Sequence, residues 1–298
     1  MKKLLEYQSV AEIVREAEEM GLTIGELVLR DQAAAMETTT EVLMQKMTDR
    51  FDVMMESVRR GGEKDQRSMS GLTGGDGYRM SDYAGRTGGG LCGSFLTGAM
   101  ARALSVASWN ASMGRIVAAP TAGSCGILPG CLVSLYEEKQ IPKEKVVLAN
   151  FTAGGLGMVI AQRACLSGAQ GGCQAECGSA AGMAAAAVTE LMGGTPQMCA
   201  DACAMALVSQ MGLVCDPVAG LVEIPCIKRN VSGVMIAFSS ADMALAGIQP
   251  KIPADECIDA MREVGEALPG ALKETAIGGL AATPTAQKLK EKVFGKND

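Results

Sequence analysis

The fold turns on residues 171–230, GGCQAECGSAAGMAAAAVTELMGGTPQMCADACAMALVSQMGLVCDPVAGLVEIPCIKRN. The alanine-rich run at 178–192 has no period-two alternation, so it predicts a helix, stopped by Gly193-Gly194. Thr195 then caps a second helix with Pro196 at its first position, running to about Gly212. Six of the 11 cysteines lie in this stretch: Cys173, Cys177, Cys199, Cys203, Cys215 and Cys226. Cys199 and Cys203, four apart, share one face of the second helix and read as buried small hydrophobes. Cys173, Cys215 and Cys226 stand beside glycine or proline, in GGCQ, VCDP and IPC, where a loop can hold a thiol and aim it.

Working outward, residues 146–170 form an apolar, glycine-broken helical pattern, and 137–145 a solvated connection. In APTAGSCGILPG, residues 119–130, Pro120 biases Ala119 away from helix, so a helix over 94–119 ends there and another starts near Gly126. Thr121 and Ser124 either cap that new helix or present hydroxyls to a substrate at its N-terminus. Residues 63–93 are polar and glycine-rich and read as a long loop or set of turns. The Thr73-Gly74-Gly75 and Gly88-Gly89-Gly90 turns suit close backbone approach to an anion, although ordinary turns read the same way. Toward the N-terminus, Ser9 with Glu12 and Thr23 with Glu26 spell S/T-x-x-E capping boxes. A long amphipathic helix is then expected to reach Arg60, with Met36, Leu43, Met47, Phe51, Met54 and Val58 on one stripe, a core face or a docking face. Downstream, helix is expected over 231–247 and again after Pro250 and Pro253, with Cys257 in the core.

Nearly every segment therefore gives a helical period or a Gly/Pro turn. The expected fold is all-α: a compact multi-helix catalytic domain with glycine-rich loops, residues 1–62 supplying N-terminal helices and 63–298 the core. At 298 residues the chain can bury an ample core. Aromatics are only 3%, so the apolar mass is Ala, Met, Leu, Val and Cys, and the 20 Met read as adaptable packing.

Net charge is −6, which leaves no basic footprint for nucleic acid. The opening MKKLLEYQSVAEIVREAEEM turns acidic too early for a signal peptide. The longest uncharged run, 116–136, is broken by Pro120, Pro129 and glycines, so no clean membrane span is expected and the protein is read as cytoplasmic. With that compartment, 11 cysteines point to metal, cluster or buried thiols rather than disulfides. The chain contains no histidine, which removes the commonest metal ligand and the commonest general base. The separations among Cys173, Cys215 and Cys226 match neither a C-x-x-C zinc pattern nor a ferredoxin run, so spacing only modestly favours metal binding over structural thiols.

GGCQAECG, GLVCDPVAGLVEIPCIKRN, AAPTAGSCGILPG and LKETAIGGLA together resemble the alpha chain of iron–sulfur-dependent L-serine dehydratase, over most of the chain and in the family's order. The resemblance implies a [4Fe–4S] cluster held by Cys173, Cys215 and Cys226, with one iron left open as a Lewis acid toward the L-serine hydroxyl. It implies an all-α catalytic domain that acts without pyridoxal phosphate, yields pyruvate and ammonia, and works with a separate beta chain in an oligomer. Some single-chain relatives end in a cysteine that reaches the cluster; this sequence ends FGKND. For the substrate carboxylate, the candidate donors are Thr73, Gly74, Thr121, Ser124, Lys273 and Arg229, the last equally suited to pairing with a nearby acid. The base is then a Lys, a carboxylate such as Asp216 or Glu176, or a group of the partner; Asp216 and Lys273 are taken as the catalytic candidates, although Asp216 beside Pro217 also suits a purely turn-shaping role. Two other readings compete: a related cluster enzyme such as an L-cysteine desulfidase or hydroxy-acid dehydratase, and a non-enzymatic thiolate–metal protein.

Overall fold

The computed structural model describes residues 7–295. The start of the opening segment, residues 1–6, and the terminal 296–298 lie outside the described residues. Thirteen α-helices follow in order: α1 (Val10–Met20), α2 (Ile24–Ala35), α3 (Thr40–Gly61), α4 (Asp76–Thr87), α5 (Gly93–Ala111), α6 (Ile127–Glu138), α7 (Lys143–Arg163), α8 (Gly168–Gly171), α9 (Ser179–Leu191), α10 (Pro196–Gln210), α11 (Cys226–Leu245), α12 (Ala254–Ala267) and α13 (Pro284–Phe294). The described residues form no strand; one isolated parallel bridge joins Cys215 to Lys273. The all-α expectation holds.

The alanine-rich α9 is the hub. Its residues 179–189 are all buried, and α6, α7, α10 and α11 pack around it. Side chains this small give little apolar area each, but they let helix axes approach closely. Thus a Cβ added at Gly182 would lie 3.0 Å from the Cys203 sulfur, which fills the groove between α9 and α10. Cys199 and Cys203 are fully buried there, as small hydrophobes. Two helical stretches, Gly90–Ala111 and Lys143–Arg163, are apolar and long enough to cross a bilayer by length and composition. Both belong to the core packing: α7 lies against α9 and α2, and α5 against α3, α4, α6 and α11.

The caps behave as their residue types require. Ser9 and Thr23 accept from the N3 amides, and Glu26 closes a full capping box on Thr23. Thr195 accepts from Met198 N with Pro196 behind it.

Several boundaries differ from expectation. The long N-terminal helix is two: α2 ends at Ala35, Glu37 turns left-handed at φ 48°, and Thr39 caps α3 through Val42 N. The run Thr38-Thr39-Thr40 is β-branched and rich in capping oxygen, so a new start there competes with continuation. Residues 63–93 are not all loop, since α4 lies within them, bounded by left-handed Gly75 and Gly88 and supported by an Asp82–Arg86 pair at i,i+4. The glycines that read as turns are its two ends. The α5 helix stops at Ala111, well before Pro120, and α11 begins at Cys226 rather than at Val231.

Candidate active site

Cys173 follows the short α8 through Gly172, whose φ of 75° no side chain tolerates cheaply. It opens a π-helical turn, Gln174–Gly178, which feeds into α9. Single π turns inside helices recur at functional sites because they shift a side chain out of the α register. The turn is held by Gln174. Its backbone N donates to Leu213 O at 2.9 Å, its Nε2 to Met261 O at 2.9 Å, and its Oε1 accepts from Gly212 N at 2.8 Å. One buried amide therefore staples the Cys173 turn to α12 and to the segment that leads into Cys215.

Cys215 lies in an extended segment paired with the tail. Its N donates to Leu272 O at 2.9 Å, and its O accepts from Glu274 N at 2.7 Å. Cys226 is the first residue of α11, directly after a cis Ile224-Pro225 peptide. There the helix N-terminus favours a thiolate. Asn230, one turn on, donates to Cys226 O and Gly123 O and accepts from Gly126 N, so α11 and the 119–126 loop form one unit.

Arg229 projects into the space between these elements. It donates to Asp216 Oδ1 and Val214 O, both at 2.8 Å, and its charge also acts on Cys173. Asp216 is spoken for on both oxygens, because Oδ2 accepts from Leu280 N at 2.8 Å. Cys173, Cys215 and Cys226 lie close enough for each to feel the others' charge. The Cys173 thiol is held below its ordinary pKa, first by its hydrogen bond with Cys177, whose sulfur lies 3.4 Å away, and then by Arg229. Burial pushes Cys215 up, and Cys226 up to about 12.

Thiols this buried stay protonated unless positive charge meets them, and Arg229 brings that charge to Cys173 and Cys226. Among the described residues, no three Cys, Asp, Glu or His side chains converge tightly enough to share one metal ion. Thiolates of a multi-iron cluster each bind a different iron, so a cluster does not require that convergence.

Beside the sulfurs stands Glu176, on the π turn. Burial pushes its carboxyl above the usual range, Glu274 adds to this, and a hydrogen bond with Thr121 opposes it. Thr121 and Ser124 hydroxyls are 3.1 Å apart. Two glycines leave the carboxylate room. A Cβ at Gly123 would lie 3.3 Å from Oε1, and one at Gly168 would lie 2.7 Å from Oε2 and 2.8 Å from the Cys215 sulfur.

The other expected residues fall as follows. Thr73 Oγ1 donates to Glu223 Oε2 at 2.7 Å, three residues before Cys226, and Gly74 turns tightly against Gln66 and Arg67. Lys273 pairs its backbone with Cys215, but its Nζ reaches Glu266 O at 3.4 Å, at the end of α12. Cys199 and Cys203 remain on α10, away from this group. Sequence reasoning missed Gly168, Gln174, Asn230 and Glu274. The two amides carried a signal, being polar residues in otherwise apolar or glycine-rich runs; Gly168 carried none.

A family profile described as "Serine dehydratase alpha chain" matches residues 19–281. The chain is 46% identical over 289 residues to a probable L-serine dehydratase, alpha chain, of Bacillus subtilis, covering 97% of this chain and 96% of that protein. It is 43% identical over 287 residues to the L-serine dehydratase alpha chain of Peptoniphilus asaccharolyticus, covering 96% and 98%. A probable L-serine dehydratase alpha chain of Latilactobacillus sakei is 53% identical over 199 residues, covering 67% of this chain and 95% of that one. With the profile spanning most of the sequence and full-length relatives above 40% identity, the chain belongs to the serine dehydratase alpha chain family.

Proposed function

We propose that this chain is the cluster-bearing half of an L-serine ammonia-lyase, releasing pyruvate and ammonia, with Cys173, Cys215 and Cys226 holding a [4Fe–4S] cluster. The observation that carries this is the gathering of those three buried sulfurs around Arg229 and Glu176. When bound, a cluster with three thiolate ligands supplies an open iron that acts as a Lewis acid toward the substrate hydroxyl.

The chain's own residues do the rest. Elimination from L-serine needs the α-proton removed, the hydroxyl lost as water, and both anionic ends of the reaction kept in register. Asp216 is poorly placed as the base, since Arg229 and Leu280 N occupy its oxygens. Lys273 carries its amine to the α12 terminus. Glu176 is the group that fits: its carboxylate faces the space left by Gly123 and Gly168, beside Cys215, with Thr121 setting its orientation. It receives the α-proton at Oε2, the oxygen nearer the Gly168 gap. A desolvated carboxylate with a raised pKa is a stronger base than one in water.

Thr73 gives its hydroxyl hydrogen to Glu223 and Thr121 orients Glu176, which leaves Ser124 and the Gly74 amide as the donors for the substrate carboxylate. Arg229 serves the ligands instead, favouring the Cys173 thiolate and bracing the Cys215 segment through Asp216 and Val214. The released aminoacrylate tautomerises to an imine and hydrolyses to pyruvate and ammonia. The setting is the cytoplasm, where thiols stay reduced, with a separate beta chain as partner, as the alpha-chain naming of the relatives supports.

The test is anaerobic reconstitution with the beta chain, followed by pyruvate release from L-serine against L-threonine and L-cysteine. Glu176→Gln should keep the iron–sulfur absorbance and lose about 100-fold or more in kcat. Equal turnover in that variant would move the base elsewhere, and turnover of L-cysteine in preference to L-serine would overturn the substrate.

A further inference from the structure

Cys177 has no place in the ligand set proposed above, yet its sulfur lies 3.4 Å from that of Cys173. Both residues are buried, and Cys177 is 1% exposed. The contact follows from the backbone: Cys173 caps the π turn and Cys177 lies within it, and the three hydrogen bonds of Gln174 fix that turn to α12 and to residues 212–213. Cys177 is thus held against Cys173 by the same staple that aims Cys173.

A sulfur that ligates iron has given up its proton. Of the two thiols, only Cys177 then carries a hydrogen, and the ligand sulfur lies 3.4 Å from it as an acceptor. We propose that Cys177 is a positioning residue that ligates no iron and donates its S–H to the Cys173 thiolate. In doing so it draws electron density from that ligand and raises the reduction potential of the cluster. Hydrogen bonds to ligand sulfurs are among the factors that set such potentials, because they stabilise the more negative, reduced state. This rests on the reading of Cys173 as a ligand, which Cys173→Ser tests separately through loss of the cluster.

The experiment uses the complex of this chain with its beta chain, reconstituted anaerobically as wild type, Cys177→Ala and Cys177→Ser. Iron and sulfide per chain are assayed, and the midpoint potential is followed by electron paramagnetic resonance. The expected result is unchanged iron content in both variants, a lower potential in Cys177→Ala, and recovery toward wild type in Cys177→Ser, whose hydroxyl restores a donor. Loss of iron, or a three-iron signal, in Cys177→Ala with retention in Cys177→Ser overturns the proposal by making residue 177 a ligand position. An unchanged potential overturns it by making Cys177 packing alone. Should Cys177→Ala fail to fold, resonance Raman of the wild type decides. Reconstitution in D2O should shift one iron–thiolate stretching band, and the absence of any shift overturns the proposal.

Discussion

Arg229 and Asp216 form an ion pair at 2.8 Å that ties the first turn of α11 to the segment carrying Cys215, with side chains 14% and 4% exposed. The pair therefore links the two elements that bear Cys226 and Cys215. Removing one member of a buried pair leaves the other charge uncompensated. Asp216→Ala also frees the Leu280 amide. That variant should lose about 3 kcal/mol of stability in the cluster-free chain, read as a lower urea midpoint at an unchanged slope. A loss within error would show that the guanidinium finds a second partner.

Replacing Cys173, Cys215 or Cys226 singly by Ser should abolish the iron–sulfur absorbance. Cys199→Ala and Cys203→Ala should keep it, because those thiols fill the α9–α10 contact and lie outside the group of sulfurs. Their cost is packing, about 1 kcal/mol each for a small buried group. A full cluster in Cys215→Ser would remove that residue from the ligand set.

Gly168→Ala is the sharpest probe of the space around Glu176. Its backbone is not left-handed, so the new methyl group adds no conformational strain, but it would stand 2.7 Å from Glu176 Oε2 and 2.8 Å from the Cys215 sulfur. Turnover should fall by about 100-fold, with the thermal midpoint nearly unchanged. Gly61→Ala is the contrast: a Cβ there would overlap the Ser105 carbonyl where α3 crosses α5, so stability and activity should fall together.

Tyr7 offers a pH test far from the sulfurs. Its Oη donates to Asp31 Oδ2 at 2.7 Å, and burial, then that bond, hold its proton well above the ordinary tyrosine range. The folded pKa is raised, so the contribution is complete below the unfolded value of about 10 and declines as pH climbs above it, where the unfolded chain releases a proton that the folded one keeps. Urea midpoints should drop more steeply between about pH 9 and about pH 11 in the wild type than in Tyr7→Phe.

The chain by itself should hold its cluster and turn L-serine over slowly. It has no histidine, and the relatives that it matches end to end are named alpha chains. Adding the beta chain should raise pyruvate release by a large factor without changing iron content. Full turnover by the single polypeptide would show that Glu176 and its neighbours suffice.

The helical character was legible because capping oxygens, Gly/Pro stops and the alanine run at 178–192 act locally. The three sulfur positions were legible through family motifs and their Gly/Pro contexts. Two kinds of feature were not. Glycines at 75 and 88 carry the same letters whether they close a turn or end a helix, so α4 went unseen. The roles of Asp216 and Arg229 depend on partners that spacing does not reveal: Arg229 meets Val214 O and Asp216 meets Leu280 N. Spacing says nothing about which oxygens are already taken, so the sequence could not show that both Asp216 oxygens have partners.

The pairing of Cys215 with Leu272 and Glu274 bears on how the protein is made. On the ribosome, Cys173 and Cys177 emerge before the partners of their Gln174 staple, residues 212–213 and Met261. Cys215 has no backbone partner until residues 270–280 are delivered, and Asp216 likewise waits for Leu280. The Cys215 segment therefore gains its backbone pairing only when the tail is laid along it. A chain stalled short of residue 272 would leave the Cys215 segment with neither of its backbone partners.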